Sequence, residues 1–209
     1  MKTLLPSLAL LLTLLAGCSK TPESPPPAAP LAPLSAEIRS VAAQRGKAIV
    51  SEAFSLLSSN LQTAIQQGGV SNALPFCSLA ASPLTASMAS KHGVALRRVT
   101  QKARNPVDKA NPDELAILKQ SETAIPASTN PPPIVTNFVA GTATFFAPII
   151  LSKELCLQCH GVSGKDIASE NLAVIQRLYP QDEATGFKLG DLRGAWRVDF
   201  PLATLSAGP

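Results

Sequence analysis

The chain has 209 residues, of which 45% are hydrophobic and 15% are charged, enough apolar side chains for one folded domain with a sizeable core. It carries 18 basic and 14 acidic residues, a formal net charge of +4. This modest charge does not favour nucleic-acid binding. Aromatic residues, at 4%, are too few to form stacking platforms for bases.

The first 17 residues are typical of a bacterial lipoprotein signal peptide. After the basic Lys2, the run Leu4–Leu15 is uncharged but shorter than the roughly 20 apolar residues that a membrane-spanning helix needs. The end of this segment, Leu15-Ala16-Gly17-Cys18, resembles a lipobox, in which Cys18 becomes the lipid-modified first residue of the mature protein. The alternative is an ordinary secretory signal with an incidental cysteine. The sequence thus predicts an exported protein.

A lipid on Cys18 would place the protein at the membrane surface, because several acyl chains give stable attachment without a spanning helix. Ser19 follows the cysteine where an aspartate would favour retention at the inner membrane. We therefore expect a lipid-anchored protein on the periplasmic side of the cell envelope, at the outer membrane rather than the inner one.

Residues 18–35 form a predicted tether between this anchor and the folded part. Six prolines fall within residues 19–34, including Pro25-Pro26-Pro27, and such composition gives an extended spacer of about 3 Å per residue. The rest of the chain, residues 36–209, is predicted to fold as one domain.

Helical periodicity is clearest in the first half of this domain. Apolar residues spaced by three and four from Ile38 to Ile65 predict a helix that Ser35 caps and that ends near Gly68-Gly69. A second helix is predicted from Ser71 to His92, with an interruption at Ser82-Pro83, where proline can occupy the first turn of a renewed helix. Two shorter helices are expected at 111–121 and 167–178.

The predicted strands lie between and after these helices. One strand is expected at Val94–Thr100, and Ile134–Ala140 with Thr142–Ile150 reads as a hairpin that turns near Gly141. The alternation in Ala195–Phe200 predicts a terminal strand with Trp196, Val198 and Phe200 facing the core. These elements together predict a mixed α/β domain.

The sequence Cys156-Leu157-Gln158-Cys159-His160 is a C-x-x-C-H pattern, the attachment site of c-type haem. Two thiols on one turn can add to the two vinyl groups of a haem, and the next histidine can then bind the iron. The alternatives are a Cys156–Cys159 disulfide and a zinc site made of Cys77, both motif cysteines and one histidine. Haem is the preferred interpretation, since haem attachment occurs outside the cytoplasm.

A second axial ligand is available from few residues. With Cys18 assigned to lipid and two cysteines to haem, Cys77 remains, together with Met88 and His92. On a straight helix Cys77 and Met88 would share a face, with His92 about 60° away, so periodicity does not choose among them. Each also has a structural explanation: Cys77 as a small buried residue, Met88 as core filler and His92 as a favourable helix C-terminal residue.

Several separated motifs, in order over about residues 36–201, are similar to those of a known family. It is a family of bacterial c-type haem proteins with a PAS-like fold, first described as a domain of unknown function and found in a cyanobacterial cytochrome and in extracytoplasmic sensor domains. The matching segments are Phe76-Cys77-Ser78-Leu79-Ala80-Ala81-Ser82-Pro83, Gly93-Val94-Ala95-Leu96-Arg97-Arg98-Val99-Thr100, Arg104-Asn105-Pro106, Cys156-Leu157-Gln158-Cys159-His160-Gly161, Tyr179-Pro180 and Gly186-Phe187-Lys188-Leu189-Gly190-Asp191-Leu192-Arg193-Gly194.

This resemblance implies a PAS-like antiparallel sheet with flanking helices, an α+β arrangement, and one covalently attached haem c. It also implies attachment through Cys156 and Cys159, and iron ligation by His160 and by Cys77. The resemblance makes Cys77 the expected distal ligand of the iron, and His92 and Met88 are the alternatives for that role.

A histidine and cysteine ligand pair favours ferric iron, because an anionic thiolate stabilises it, and so predicts a low potential. Two protein ligands leave no open position for a substrate, so we expect no enzyme but an electron carrier or redox sensor with an unknown redox partner. The alternative is a gas or ligand sensor in which Cys77 detaches on reduction.

Other residues have weaker assignments. Arg97, Arg98 and Arg104 could pair with haem propionates, although one of Arg97 and Arg98 must point away along an alternating strand. Asp191 and Arg193, with Lys188, are expected to fix a turn. Four aromatic residues are candidate walls of a haem pocket: Phe76, Phe145, Phe146 and Trp196.

Overall fold

A computed structural model of the protein describes residues 31–127 and 131–206. The predicted signal peptide, the predicted lipid site Cys18 and most of the tether lie outside these residues. The helices are α1 (Ala36–His92), α2 (Pro112–Ala124), α3 (Glu154–His160), α4 (Ser169–Leu178) and α5 (Ala203–Ser206), and the strands are β1 (Ala95–Val99), β2 (Ile134–Thr136), β3 (Thr142–Ile150) and β4 (Leu192–Pro201). Single 3-10 turns occur at Pro106–Asp108 and Ile125–Ala127.

Helix α1 begins and breaks where the sequence predicts. The Ser35 hydroxyl accepts a hydrogen bond from the Ile38 amide at 3.2 Å, which is an N-cap. The helical path is interrupted at Gly68 and Gly69, and Gly69 has φ of 72°, a left-handed conformation that glycine adopts without steric cost. The break lets the two halves of α1 run in different directions along the domain.

The predicted interruption at Ser82-Pro83 is wrong. The only non-helical backbone angles within α1 are those of Gly68 and Gly69, so the helix continues through Pro83. Proline leaves the carbonyl of Leu79 without its helical partner, but Pro83 and Leu79 lie on an exposed part of the helix. Water can therefore solvate the freed carbonyl.

The four strands form one antiparallel sheet in the order β1-β4-β3-β2. The predicted hairpin is confirmed as β2 and β3, although β2 is only three residues long. Trp196, Val198 and Phe200 of β4 pack in the main core against α1, as their alternation predicts. Helix α1 approaches the sheet closely at Gly46, where a Cβ atom would lie 2.4 Å from the Phe145 ring.

The opposite face of the sheet is covered by α2. This helix starts with a capping box, in which Asn111 and Glu114 each bind the other's backbone amide at 2.9 Å. A second cluster of Val99, Leu118, Phe146 and Ala195 fills the space beneath it. The α+β class, with an antiparallel sheet and flanking helices, is thus confirmed.

Within residues 31–127 and 131–206, no helix is both long enough and apolar enough to cross a membrane.

Candidate functional site

A cavity of about 340 Å³ lies between the two halves of α1, the sheet and the segment around α3. Helical spacing explains its walls: the first half of α1 contributes residues at intervals of three and four, and so does the second half. From the first half these are Phe54, Leu57, Ser58, Leu61, Gln62 and Ile65, and from the second half Val70, Ala73, Leu74, Cys77, Ser78 and Ala81, with Phe76 and Ser82 next to them. The cavity is therefore mainly apolar along α1.

Helix α3 carries the C-x-x-C-H motif and brings Cys156, Cys159 and His160 to this same cavity. The two cysteines are three residues apart on a helix and so lie on one face. Both are free thiols, so the predicted alternative of a disulfide between them is not observed. Burial raises the pKa of Cys159 to about 11, with a small opposing effect from the Arg104 guanidinium.

No group of three or more His, Cys, Asp and Glu side chains in the described part of the chain has a metal-binding arrangement. The described residues therefore contain no preformed version of the alternative zinc site, which would use Cys77, the motif cysteines and one histidine.

His160 is held by hydrogen bonds from the segment that follows α4. Its Nδ1 lies 2.8 Å from the carbonyl oxygen of Ala184, which can only accept, so Nδ1 carries the proton. Burial, together with the positive charges of Arg193 and Arg104, holds the pKa of His160 well below its ordinary value of 6.5. The imidazole is therefore neutral, and Nε2 is left with a free lone pair.

The Gly186-Phe187 part of the sequence motif supports the same histidine from the backbone. The Phe187 amide donates to the His160 carbonyl at 3.0 Å, and the Gly186 amide donates to the Gly161 carbonyl at 2.7 Å. The Phe187 ring stands edge-on to the imidazole, with centroids 6.3 Å apart. These contacts fix the end of α3 relative to the following loop.

Arg104 links the motif helix to that loop. Its Nη2 donates to the Cys159 carbonyl at 2.7 Å and to Asp182 Oδ2 at 3.1 Å, while Nε donates to Asp182 Oδ1 at 3.2 Å. Asp182 in turn accepts from the Ala184 amide at 2.9 Å. Arg104 and Asp182 thus position the carbonyl that orients His160.

Cys77 lines the cavity together with the motif residues, whereas the two alternative ligands do not. Met88 is 6% exposed and packs in the main core. The His92 Nε2 lies 2.8 Å from a carboxylate oxygen of Glu52. Burial raises the pKa of the Cys77 thiol, and the charges of Arg98 and Arg104 oppose this only in part.

The three arginines that could pair with propionates divide as the strand alternation predicts. Arg98 and Arg104 line the cavity, whereas Arg97 points to the opposite face of the sheet and pairs with Glu114, so Arg97 is no longer a candidate for a propionate. Alternating strand geometry places the side chains of Arg97 and Arg98 on opposite faces of the sheet.

Arg193, which the sequence predicts to fix a turn, lines the cavity instead. Asp191 does fix the turn, since its carboxylate accepts from the Lys188 amide at 2.8 Å.

Two of the four candidate aromatic walls are at the cavity. Phe76 and Trp196 line it. Phe145 is buried in the main core beneath Gly46, and Phe146 faces α2 on the other side of the sheet, where it contacts Phe138 with ring centroids 5.6 Å apart. Core packing accounts for Phe145 and Phe146.

Comparison with known proteins gives two similarities. The model of a family described as Tll0287-like (Tll0287) matches residues 34–201. Among solved structures, the cyanobacterial heme-protein Tll0287 is similar, with 25% sequence identity and a TM-score of 0.52, over 76% of this chain and 94% of that chain. No curated protein gives a significant match. The matched interval contains Cys77 and the whole C-x-x-C-H motif.

Proposed function

The chain belongs to the Tll0287-like family, and on that premise we propose that it is an exported, lipid-anchored, monohaem c-type cytochrome with a PAS-like domain. Its role is electron transfer at low potential or redox sensing. A single observation carries this proposal: Cys156, Cys159, His160 and Cys77 line one cavity, although Cys77 and Cys156 are 79 positions apart in the chain.

The residues of the cavity fit a haem in three respects. Apolar side chains of α1, such as Leu57, Leu61 and Leu74, suit the flat hydrocarbon surface of a porphyrin. The motif supplies two free thiols and a neutral imidazole with one free nitrogen. A buried guanidinium nitrogen of Arg193, without a hydrogen-bond partner in the described residues, suits a carboxylate.

In this proposal Cys156 and Cys159 would hold the porphyrin through thioether bonds, and His160 Nε2 and Cys77 Sγ would bind the iron. When bound, the haem iron supplies one-electron redox chemistry. The Ala184 carbonyl keeps the proton on Nδ1 and so keeps Nε2 unprotonated.

A carrier or sensor is favoured over an enzyme because two side chains that can bind iron, those of His160 and Cys77, line the same cavity. If both bind the iron, a substrate would have to displace one of them. The lipid anchor is supported by the Leu15-Ala16-Gly17-Cys18 segment, and a mature protein without acyl chains on Cys18 by mass spectrometry would contradict it. Export is supported by the first 17 residues and by the C-x-x-C-H motif.

The decisive experiment compares absorption spectra of the ferric, ferrous and carbon monoxide-treated holoprotein. We expect a six-coordinate low-spin ferric form in the wild type and a high-spin or water-ligated form in Cys77→Ala. Met88→Leu and His92→Gln are matched controls on the same helix, and both should keep the wild-type spectrum. An unchanged spectrum in Cys77→Ala would transfer the distal role to another residue.

The carbon monoxide arm separates carrier from gas sensor. A ferrous wild-type protein that binds no carbon monoxide is the result expected of a carrier. Rapid binding would favour the alternative, in which Cys77 leaves on reduction. Covalent attachment is tested separately: haem should be extractable from a Cys156→Ala, Cys159→Ala variant and not from the wild type. Zinc in place of haem in the purified wild type would overturn the proposal.

A further inference from the structure

Arg193 occupies a β-bulge at the edge of the cavity. Ile149 of β3 pairs with Gly194 and Ile150 pairs with Leu192, so Arg193 is the extra residue between two paired positions of β4. Gly194 has φ of 152°, and a Cβ atom on it would lie 2.4 Å from the Val99 carbonyl oxygen. A bulge changes the direction of a side chain, which here turns Arg193 toward the cavity.

The Arg193 guanidinium is held at one edge. Nη1 donates to the Thr100 hydroxyl at 2.8 Å and to the Lys102 carbonyl at 3.1 Å. Nε is buried and has no hydrogen-bond partner among the described residues. A buried donor without a partner costs free energy, so this edge of the guanidinium is suited to an acceptor that the protein itself does not provide.

The charges around Arg193 point to an anionic acceptor. Three guanidinium groups line this part of the cavity, from Arg98, Arg104 and Arg193. Arg104 pairs with Asp182 at 3.1 Å and Arg98 with Asp108 at 3.6 Å, while Arg193 has no ion-pair partner in the described residues. Burial and the two neighbouring arginines lower the pKa of Arg193 to about 10, still well above neutral pH. One buried guanidinium is thus left without a direct ion pair, since Asp108 and Asp182, which also act on its charge, pair with Arg98 and Arg104.

We propose that Arg193 binds a carboxylate of the ligand in this cavity through the guanidinium edge that contains Nε. The inference rests on the proposed function, which makes that carboxylate a propionate of the haem. Arg104 is unsuited to this role because both its Nε and Nη2 are already engaged by Asp182 and the Cys159 carbonyl. Arg98 is unsuited as the main anchor because 36% of its side chain is exposed.

The test uses the full chain produced without haem attachment, titrated with ferric haem and, separately, with its dimethyl ester. The ester retains the porphyrin and iron but has no carboxylate. Absorbance of the bound porphyrin gives both dissociation constants. We expect the free acid to bind about 10- to 100-fold more tightly, the range of a charge-assisted hydrogen bond.

Variants test whether Arg193 causes the tighter binding of ferric haem over its dimethyl ester. Arg193→Gln should bind the acid and the ester about equally, and Arg193→Lys should keep part of the preference. Arg177→Gln is the matched control, since Arg177 is exposed on α4 and does not line the cavity. A preference that persists in a folded Arg193→Gln protein overturns the assignment.

The two proposals fail in different ways. If the wild type binds the acid and the ester equally, haem binding stands and the role of Arg193 is wrong. If the wild type binds neither porphyrin, the proposed function itself is wrong, and this inference with it. If Arg193→Gln does not fold by circular dichroism, the wild-type comparison and Arg193→Lys decide.

Discussion

Two groups of arginines and carboxylates lie on opposite faces of the same pair of strands, β1 and β4. The first, which we call the closed group, consists of Arg97, Arg197, Glu114 and Asp199 and faces α2. The second, the open group, consists of Arg98, Arg104, Arg193 and Asp108, which line the cavity, together with Asp182, which pairs with Arg104.

Every charge of the closed group has a partner. Glu114, with 0% of its side chain exposed, accepts from Arg197 Nη1 at 2.7 Å and from Arg97. Arg197 Nε donates to Asp199 at 3.0 Å, and its guanidinium stacks over Phe138 at 4.9 Å from the ring centroid. Two positive and two negative side chains balance, and among the described residues no buried donor of this group lacks a hydrogen-bond partner.

The open group has three arginines and two aspartates, and one buried donor without a partner. The difference between the groups shows how one strand pair serves two purposes. In the closed group, balanced charges hold α2 against the sheet. In the open group, the excess positive charge beside an apolar cavity can bind an anionic ligand. Substitutions in each group can test this distinction.

The largest effect is expected from Glu114→Gln in the closed group. Removal of this charge leaves Arg97 without a carboxylate partner and leaves Arg197 with Asp199 alone, and breaking a buried ion pair in this way costs about 3 to 5 kcal/mol. Urea denaturation measures the loss. Glu122→Gln, an exposed site on the same helix, is the control and should change the free energy of unfolding by less than about 0.5 kcal/mol.

Glu114 also gives the closed group a defined pH dependence. Burial raises the pKa of this carboxyl, but hydrogen bonds from the Asn111 amide, Arg197 and Arg97 outweigh burial and hold it below the ordinary value of 4.5. Its contribution is therefore present above about pH 4.5 and is lost as pH falls through the lower folded-state pKa. Glu114→Gln should lack this part of the acid destabilisation; an unchanged acid profile would contradict the assignment.

A smaller effect is expected from Gly194→Ala, which disturbs the bulge under the open group. The added Cβ would meet the Val99 carbonyl oxygen at 2.4 Å and would also face an unfavourable φ of 152°, so we expect a loss of about 2 to 4 kcal/mol. Gly190→Ala is the control, because its φ is 88° but nothing lies within 4 Å of the added atom. It should cost about 1 kcal/mol.

The bulge makes Gly194→Ala informative about the ligand as well. A displaced Arg193 should bind a carboxylate less well, so the variant should lose most of the preference for ferric haem over its dimethyl ester, whereas Gly190→Ala should keep it. Full retention of the preference in a folded Gly194→Ala protein would show that the bulge does not direct Arg193.

The sequence predicts local features well. Ser35 caps α1, the Gly68-Gly69 pair breaks it, and the alternation of Trp196, Val198 and Phe200 identifies the core face of β4. Each of these depends on neighbours in the chain. The C-x-x-C-H motif is also local, but its position at the cavity depends on contacts of α3 with Arg104, Ala184 and Phe187.

The sequence does not reveal the two arginine groups, because their partners come from distant segments. Arg197 is 8% exposed because Glu114, 83 residues away, covers it. The sequence places Arg193 in a turn, because the bulge that directs its side chain to the cavity is visible only in the register of β3 against β4. Similarly, periodicity alone left Cys77, Met88 and His92 open, and only the packing of α1 against the sheet places Met88 in the core.

The smallest effect is expected from Arg98→Gln in the open group. The Arg98 guanidinium lies 3.6 Å from Asp108 and is 36% exposed, so its ion pair contributes less than about 1 kcal/mol. Burial raises the pKa of Asp108, and the charge of Arg98 opposes that rise. A raised carboxyl pKa disfavours folding as pH rises through it. Arg98→Gln should therefore be less stable than the wild type mainly above about pH 4, as urea denaturation at several pH values would show. If Arg98→Gln lowered the free energy of unfolding as much as Glu114→Gln, the charges of the open group would be paired as tightly as those of the closed group.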